Sequence, residues 1–174
     1  MGQRQNFETL VLPHLDAAYN LARWLTRNDQ DARDVVQEAS MRALRYIDSL
    51  RGDDARPWLL GIVRNTCFTV LERQRNGPEW VEFDDAEFDS ALGEAERTDP
   101  AARLQQQRTR LQIDAALRAL SPRLREVIVL REFEDLEYAQ IASIVAVPVG
   151  TVMSRLSRAR EKLRSALAKV SLDE

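Results

Sequence analysis

Apolar positions recur three and four residues apart along most of this chain, the spacing of one face of an α-helix. Phe7, Leu10, Val11, Ala18, Leu21, Ala22 and Leu25 form the first such stripe. Arg27-Asn28-Asp29 interrupts it, and Asn28 or Asp29 is placed to cap a second helix bearing Ala32, Val35, Val36, Ala39, Ala43 and Ile47. The polar loop SLRGDDAR, Ser49 to Arg56, follows. Pro57 then suits the first turn of a third helix that carries Trp58, Leu59, Ile62, Val63, Cys67, Val70 and Leu71. Gly77-Pro78 ends this block, and the periodicity lapses as far as Pro100. It returns from Ala102 with Leu104, Leu111, Ile113, Leu117 and Leu120, after which Ser121-Pro122 opens a helix with Leu124, Val127, Ile128 and Leu130. The chain therefore reads as all-α, with two small helical domains, residues 1–76 and 103–174, joined by an acidic flexible linker over 77–102.

The last two helices carry the sharpest signal. Leu136, Ile141, Ala142, Ile144 and Val145 share a face, and Ala146-Val147-Pro148 stops that helix, because proline disfavours helix in the residue before it. A second helix restarts with Val152, Leu156, Ala159, Leu163 and Leu167 on one stripe and Thr151, Ser154, Arg155, Arg158 and Lys162 on another. Two short helices joined by a tight turn, the second apolar on one side and cationic on the other, form a helix-turn-helix. Arginine forks onto guanine or phosphate, and short hydroxyls reach base edges or backbone. Between Val149 and Lys169 the only acid is Glu161, against Arg155, Arg158, Arg160, Lys162, Arg164 and Lys169. Such turns often contain glycine; here Ala146 takes that place.

Charge changes this picture. The whole chain of 174 residues has a net charge of -3, which argues against a freestanding DNA binder, since nonspecific affinity comes from neutralising phosphates. The acids are segregated: Asn76 to Ala102 holds Glu79, Glu82, Asp84, Asp85, Glu87, Asp89, Glu94, Glu96 and Asp99 against Arg97 alone. A chain arranged this way is expected to bind DNA weakly by itself and to need a partner that presents its basic surfaces. Trp80, Phe83 and Phe88 within that stretch either anchor in a partner's groove or pack on the adjacent helices.

Enzyme chemistry has few residues to rest on. Cys67 and His14 are each the only one of their kind, which excludes an internal disulfide and leaves no multi-residue Cys/His metal site. Both read as helix-packing residues. There is no glycine-rich phosphate loop, nucleophile elbow or metalloprotease helix, so no catalytic residue, metal or cofactor is expected. No apolar run is long enough for a bilayer span and the N-terminus lacks a signal-peptide plan, so the expected location is cytoplasmic without membrane insertion.

Three motifs in order resemble a bacterial RNA polymerase sigma factor of the extracytoplasmic-function (ECF) class of the sigma-70 superfamily, and the resemblance covers nearly the whole chain. DARDVVQEASMRALR, Asp31 to Arg45, is similar to the family's region 2.2, which docks on the polymerase clamp helices. PWLLGIVRN, Pro57 to Asn65, is similar to region 2.3 to 2.4, which opens and reads the −10 element. LSPRLREVIVLREFEDLEYAQIASIVAVPVGTVMSRLSRAREKL, Leu120 to Leu163, is similar to region 4, which reads the −35 element. A response regulator would share the helix-turn-helix, but this chain lacks the βα alternation of a receiver domain.

The resemblance implies a non-enzymatic subunit that gives core RNA polymerase its promoter specificity and is restrained by an anti-sigma factor. It implies polymerase docking by Asp34, Gln37, Glu38 and Met41, a mixed acidic, amide and thioether face. For the −10 promoter DNA it points to Arg51, Arg56, Arg64, Asn65 and Arg73. Trp58 shares a helical face with Leu59 and Ile62 and so reads as core rather than as a base-stacking platform. For the −35 element it points to Thr151, Ser154, Arg155, Arg158 and Lys162. Met153 stands where many family members carry a basic residue, so the promoter sequence does not transfer from relatives. Two rivals from other classes are a stand-alone helix-turn-helix transcriptional regulator, which predicts tight, salt-dependent promoter binding without polymerase, and a helical protein-binding adaptor, which predicts no promoter dependence.

Overall fold

The computed structural model describes residues 2–76 and 99–172, and among them every regular element is helical. The expected linker, with Trp80, Phe83 and Phe88, lies almost wholly outside the described residues.

The first apolar stripe is not one helix but two. α1 (Gln3–Leu10) ends at a tight turn, Leu12–His14, and α2 (Leu15–Thr26) begins after it. Pro13 causes the break: it has no N–H to donate and its ring crowds the preceding turn. His14, half-buried, ends that single 3-10 turn between α1 and α2. α2 stops at Arg27, whose backbone is left-handed (φ 59°), and Asn28 caps α3 (Asp29–Tyr46) by accepting a 2.9 Å hydrogen bond from the Asp31 N–H. Asp29 and Asp31 add negative charge at the positive end of that helix. The turn Ile47–Ser49 and a polar loop lead to α4 (Ala55–Asn76).

α2, α3 and α4 pack mutually, because each has one apolar face. Leu21, Leu25, Leu59, Leu60 and Val63 fill the centre, while Ala32, Ala39 and Ala43 give α3 a small-residue stripe that lets its neighbours approach closely. Burying each leucine contributes about 1.5–3 kcal/mol. Trp58 is half-buried against this core, as expected of a packing residue.

α5 (Pro100–Ala119) starts two residues earlier than the periodicity indicated, with the Asp99 carboxylate accepting from the Ala101 N–H. Residues 100–102 of the expected linker are thus helical. Leu104, Leu111 and Ile113, expected to form an apolar stripe, are exposed; only Ala116 and Leu117 of this helix are buried. The helix is about 30 Å long, and only its last turns reach the C-terminal core.

α6 (Pro122–Ile128) runs into a single π-helical turn, Val129–Phe133, and then into α7 (Tyr138–Val145) and α8 (Val149–Leu172). Glu137 and Gln140 cap α7 reciprocally. Ala146 terminates it in left-handed backbone (φ 56°, ψ 47°), the conformation that glycine usually supplies. Pro148 accepts the Thr151 and Val152 N–H groups at the start of α8. The axes of α7 and α8 turn by 98°, within the range of a helix-turn-helix. Ile141, Ile144, Val145, Val152, Leu156 and Ala159 are buried where α7 packs on α8 and α8 packs on α6.

The two helical groups also pack on each other, α4 against α7 and α2 against α6. Trp24 stacks on Phe133 with ring centroids 5.7 Å apart. Arg125, fully buried, donates to the carbonyls of Leu117, Arg118 and Leu120 at the end of α5 and, across the junction, to that of Trp24 at 3.2 Å. It satisfies carbonyls that a helix C-terminus leaves without partners. Burial pushes its guanidinium down to about 10, with the Arg27 and Arg118 charges acting in the same direction.

Candidate nucleic-acid interface

α8 presents its polar face as the spacing requires. Ser154, Arg158 and Lys162 are exposed, and Thr151 is half-buried at the first turn. The Ser154 hydroxyl donates to the Thr151 carbonyl at 3.0 Å, which orients it along the helix. Met153, where a cation was expected, is exposed and uncharged. Arg160 is tied to Glu132 at 2.9 Å, and that hydrogen bond raises its guanidinium pKa.

Arg155 departs from the expected outward position. Its side chain is only 16% exposed, and Nη1 points inward to lie 3.9 Å from Glu126 Oε1. The reason is geometric: Val152, Arg155, Leu156 and Ala159 follow the three-and-four spacing of the buried stripe, so Arg155 lies at its inner edge. It braces α8 on α6.

The residues expected at the −10 element divide into two groups. Arg51, Asn65 and Arg73 are exposed. Arg56 and Arg64 instead reach across to the C-terminal helices. Arg64 holds Glu126 with both arms of its fork, Nε to Oε2 at 2.8 Å and Nη2 to Oε1 at 3.2 Å. It also donates to Asn65 Oδ1 at 3.2 Å and lies over the Phe68 ring at 4.2 Å. Arg56 Nη2 donates to the carbonyl of Glu134 and, at 2.7 Å, to its carboxylate.

Glu126 and Glu134 are the residues that the periodicity missed. α6 is buried all round, from Leu124 to Ile128, and helical spacing marks only one face, so nothing in the sequence distinguishes Arg125 or Glu126 from solvated charges. Glu126 is fully buried, and this desolvation raises its carboxyl pKa against the opposing hydrogen bond and charge of Arg64 and the charge of Arg155. Cys67 feels the same environment: burial, then the nearby Glu126 carboxylate, pushes its thiol up to about 12.

Asp34, Gln37, Glu38 and Met41 share one open face of α3. Asp34 accepts from Gln30 at 3.1 Å, Glu38 pairs with Arg42 one turn on, and Met41 is 65% exposed. Leu44 and Tyr46, also exposed, extend the same helix with apolar surface. No group of three or more His, Cys, Asp or Glu among the described residues is arranged to hold a metal ion.

The family model described as Sigma-70 region 2 matches residues 10–77, and that described as Sigma-70, region 4 matches residues 110–163. The chain is 36% identical to the RNA polymerase sigma-H factor of Pseudomonas aeruginosa, over 95% of this chain and 88% of that protein. It is 35% identical to the ECF RNA polymerase sigma-E factor of Escherichia coli K12, over 93% of this chain and 86% of that protein. Its fold is similar to that of the sigma factor RpoE of Bartonella quintana, solved in complex with the anti-sigma factor NepR. That match has a TM-score of 0.74 and 28% identity, covering 94% of this chain and 98% of the other. With both conserved regions matched in order and relatives this similar over nearly their whole length, the chain belongs to the sigma-70 family, among its ECF RNA polymerase sigma factors.

Proposed function

We propose that this chain is an alternative sigma factor that binds core RNA polymerase, directs it to a dedicated set of promoters, and is held inactive by an anti-sigma factor until a signal arrives. The observation that carries this reading is the presence, in order on one chain, of a region 2 helix bundle and a region 4 helix-turn-helix. It acts as a specificity subunit and not as an enzyme. The proposed domain division is 1–76 for docking and −10 recognition, 77–102 for the linker and 103–174 for −35 recognition.

The proposed chemistry assigns each face a task. Asp34, Gln37, Glu38 and Met41 meet basic and apolar groups of the polymerase in a helix-on-helix contact. Thr151, Ser154, Arg158 and Lys162 enter the major groove at the −35 element, Arg155 supporting the helix from behind. Arg51, Arg56, Arg64, Asn65 and Arg73 take the displaced strand near the −10 element, where a base leaving the stack costs a few kcal/mol and needs polar contacts in return. The proposed place of action is the cytoplasm; among the described residues no single helix is long and apolar enough to cross a membrane.

The test is transcription of fragmented genomic DNA from the source organism by core RNA polymerase, with and without the protein, mapping RNA 5′ ends. Discrete new starts sharing two upstream elements are expected. Absence of new starts with folded protein returns the reading to a stand-alone regulator or an adaptor, and a gel shift without polymerase separates those two.

A further inference from the structure

The outer side of α8 is not uniformly cationic. Val149 and Met153 stand one turn apart at the start of the helix, and both are open to solvent, Val149 at 41% and Met153 at 53%. Neither belongs to the stripe of Val152, Leu156 and Ala159 that is buried inward. Ser154, Ser157 and Arg158 beside them are exposed and polar. Gly150 lies one turn before Ser154, and the space that a Cβ would take there is open, so no side chain at that position holds the helix away from a surface that approaches it. Water against the two apolar side chains is unfavourable, while the hydroxyls and cations around them suit a polyanion better than an apolar protein surface.

We propose that Met153, flanked by Val149, is a specificity-determining residue that selects one thymine of the −35 element through the 5-methyl group of that base. This rests on the reading of α8 as the helix that enters the major groove, where the N-terminal residues of such a helix meet base edges. Among the major-groove edges of the four bases, thymine presents the one methyl group, and guanine, adenine and cytosine present donors and acceptors. A methionine side chain has no donor and only a weakly accepting sulfur. Over guanine, adenine or cytosine it strips water from polar atoms without replacing the lost hydrogen bond. Over thymine it covers a methyl group, and both partners withdraw apolar surface from water. The flexible, unbranched thioether adapts its shape to that contact. Arg158 and Lys162, assigned to the same groove, supply charge and hydrogen bonds; Met153 supplies discrimination at one base pair.

The experiment uses holoenzyme assembled from core RNA polymerase and the full chain, either wild type, Met153→Ala or Arg158→Ala, with folding checked by circular dichroism. Each holoenzyme selects from a promoter library randomised through the −35 element. Every thymine of the element that wild type selects, on either strand, is then replaced singly by deoxyuridine, which lacks only the 5-methyl group, and affinity is measured by gel shift. Wild-type binding is expected to weaken at one thymine by about fourfold, the factor for burying one methyl-sized group. Met153→Ala is expected to bind thymine and deoxyuridine equally there and to accept other bases at that position, with its preferences elsewhere retained. An element with no thymine on either strand, no deoxyuridine effect in wild type, or an effect that persists in Met153→Ala overturns the proposal. If Arg158→Ala alters selection or weakens binding while Met153→Ala leaves selection unchanged, Met153 has no part in base choice and the assignment of α8 to the −35 element stands. If neither variant changes binding or selection, that assignment fails and the proposal fails with it.

Discussion

Ala146 shows how a single residue stores strain at a functional turn. Its left-handed backbone ends α7 and sets the 98° entry to α8, a conformation that costs an L side chain about 1–2 kcal/mol. Glycine removes that cost but is freer when unfolded, which returns about 0.5–1 kcal/mol. Ala146→Gly is therefore expected to raise stability by up to about 1 kcal/mol, read as a higher urea midpoint with an unchanged slope. The sequence pointed to this position, because Ala146 stands where glycine was expected. Cys67 offers a pH test. Its folded thiol, raised to about 12 from 9.0, keeps its proton where the unfolded thiol has lost it. The stability it contributes is complete below pH 9 and is lost as pH climbs toward 12, with a slope of at most about 1.4 kcal/mol per pH unit. Urea midpoints measured across that window are expected to fall less steeply in Cys67→Ala.

At the scale of the element, α8 separates the residues proposed to read DNA from the one that braces the helix. Arg158 is exposed on the polar face, and Arg155 is turned onto Glu126. Arg158→Ala is expected to cost about 1–3 kcal/mol on the preferred −35 sequence and to relax selection at one base pair. Equal weakening on all sequences, in a binding-site selection with the holoenzyme, would make Arg158 a phosphate contact instead. Helical spacing located the faces of α8 but placed Arg155 with the DNA set, since an arginine at the border of an apolar stripe reads equally well as either. The break between α1 and α2 was legible in principle: Pro13 sits within a stripe that otherwise continues, and the continuity of the apolar positions hid it.

Across the whole molecule, the proposed docking face of α3 and the junction between the halves are separate surfaces, and this permits a clean test. Asp34→Lys with Glu38→Lys is expected to abolish capture by core RNA polymerase while leaving the thermal midpoint within a few degrees of wild type. Among the described residues the only ion pair lost is the half-exposed Glu38–Arg42 pair on one helix, and such pairs contribute about 0.3–0.5 kcal/mol. A collapse of the melting curve alongside the loss of binding would make these residues structural. The net charge of -3 acts at the same scale, for it is expected to disfavour DNA binding by the chain alone.

The amino-acid sequence by itself determined the all-α class, the helix-turn-helix and the open face of α3, because amphipathic spacing, caps and proline breaks act within a few residues of one another. Asn28 did so through a side-chain cap three residues away, and Pro57 and Pro148 through local backbone geometry. The tertiary structure alone decided how the two helical groups meet. Arg56 pairs with Glu134 across 78 positions and Arg64 with Glu126 across 62, so these partners are local only after folding. The burial of Arg125 and Glu126 follows from α6 being enclosed on every side, and a helix enclosed on every side has no periodicity to announce which of its charges are desolvated.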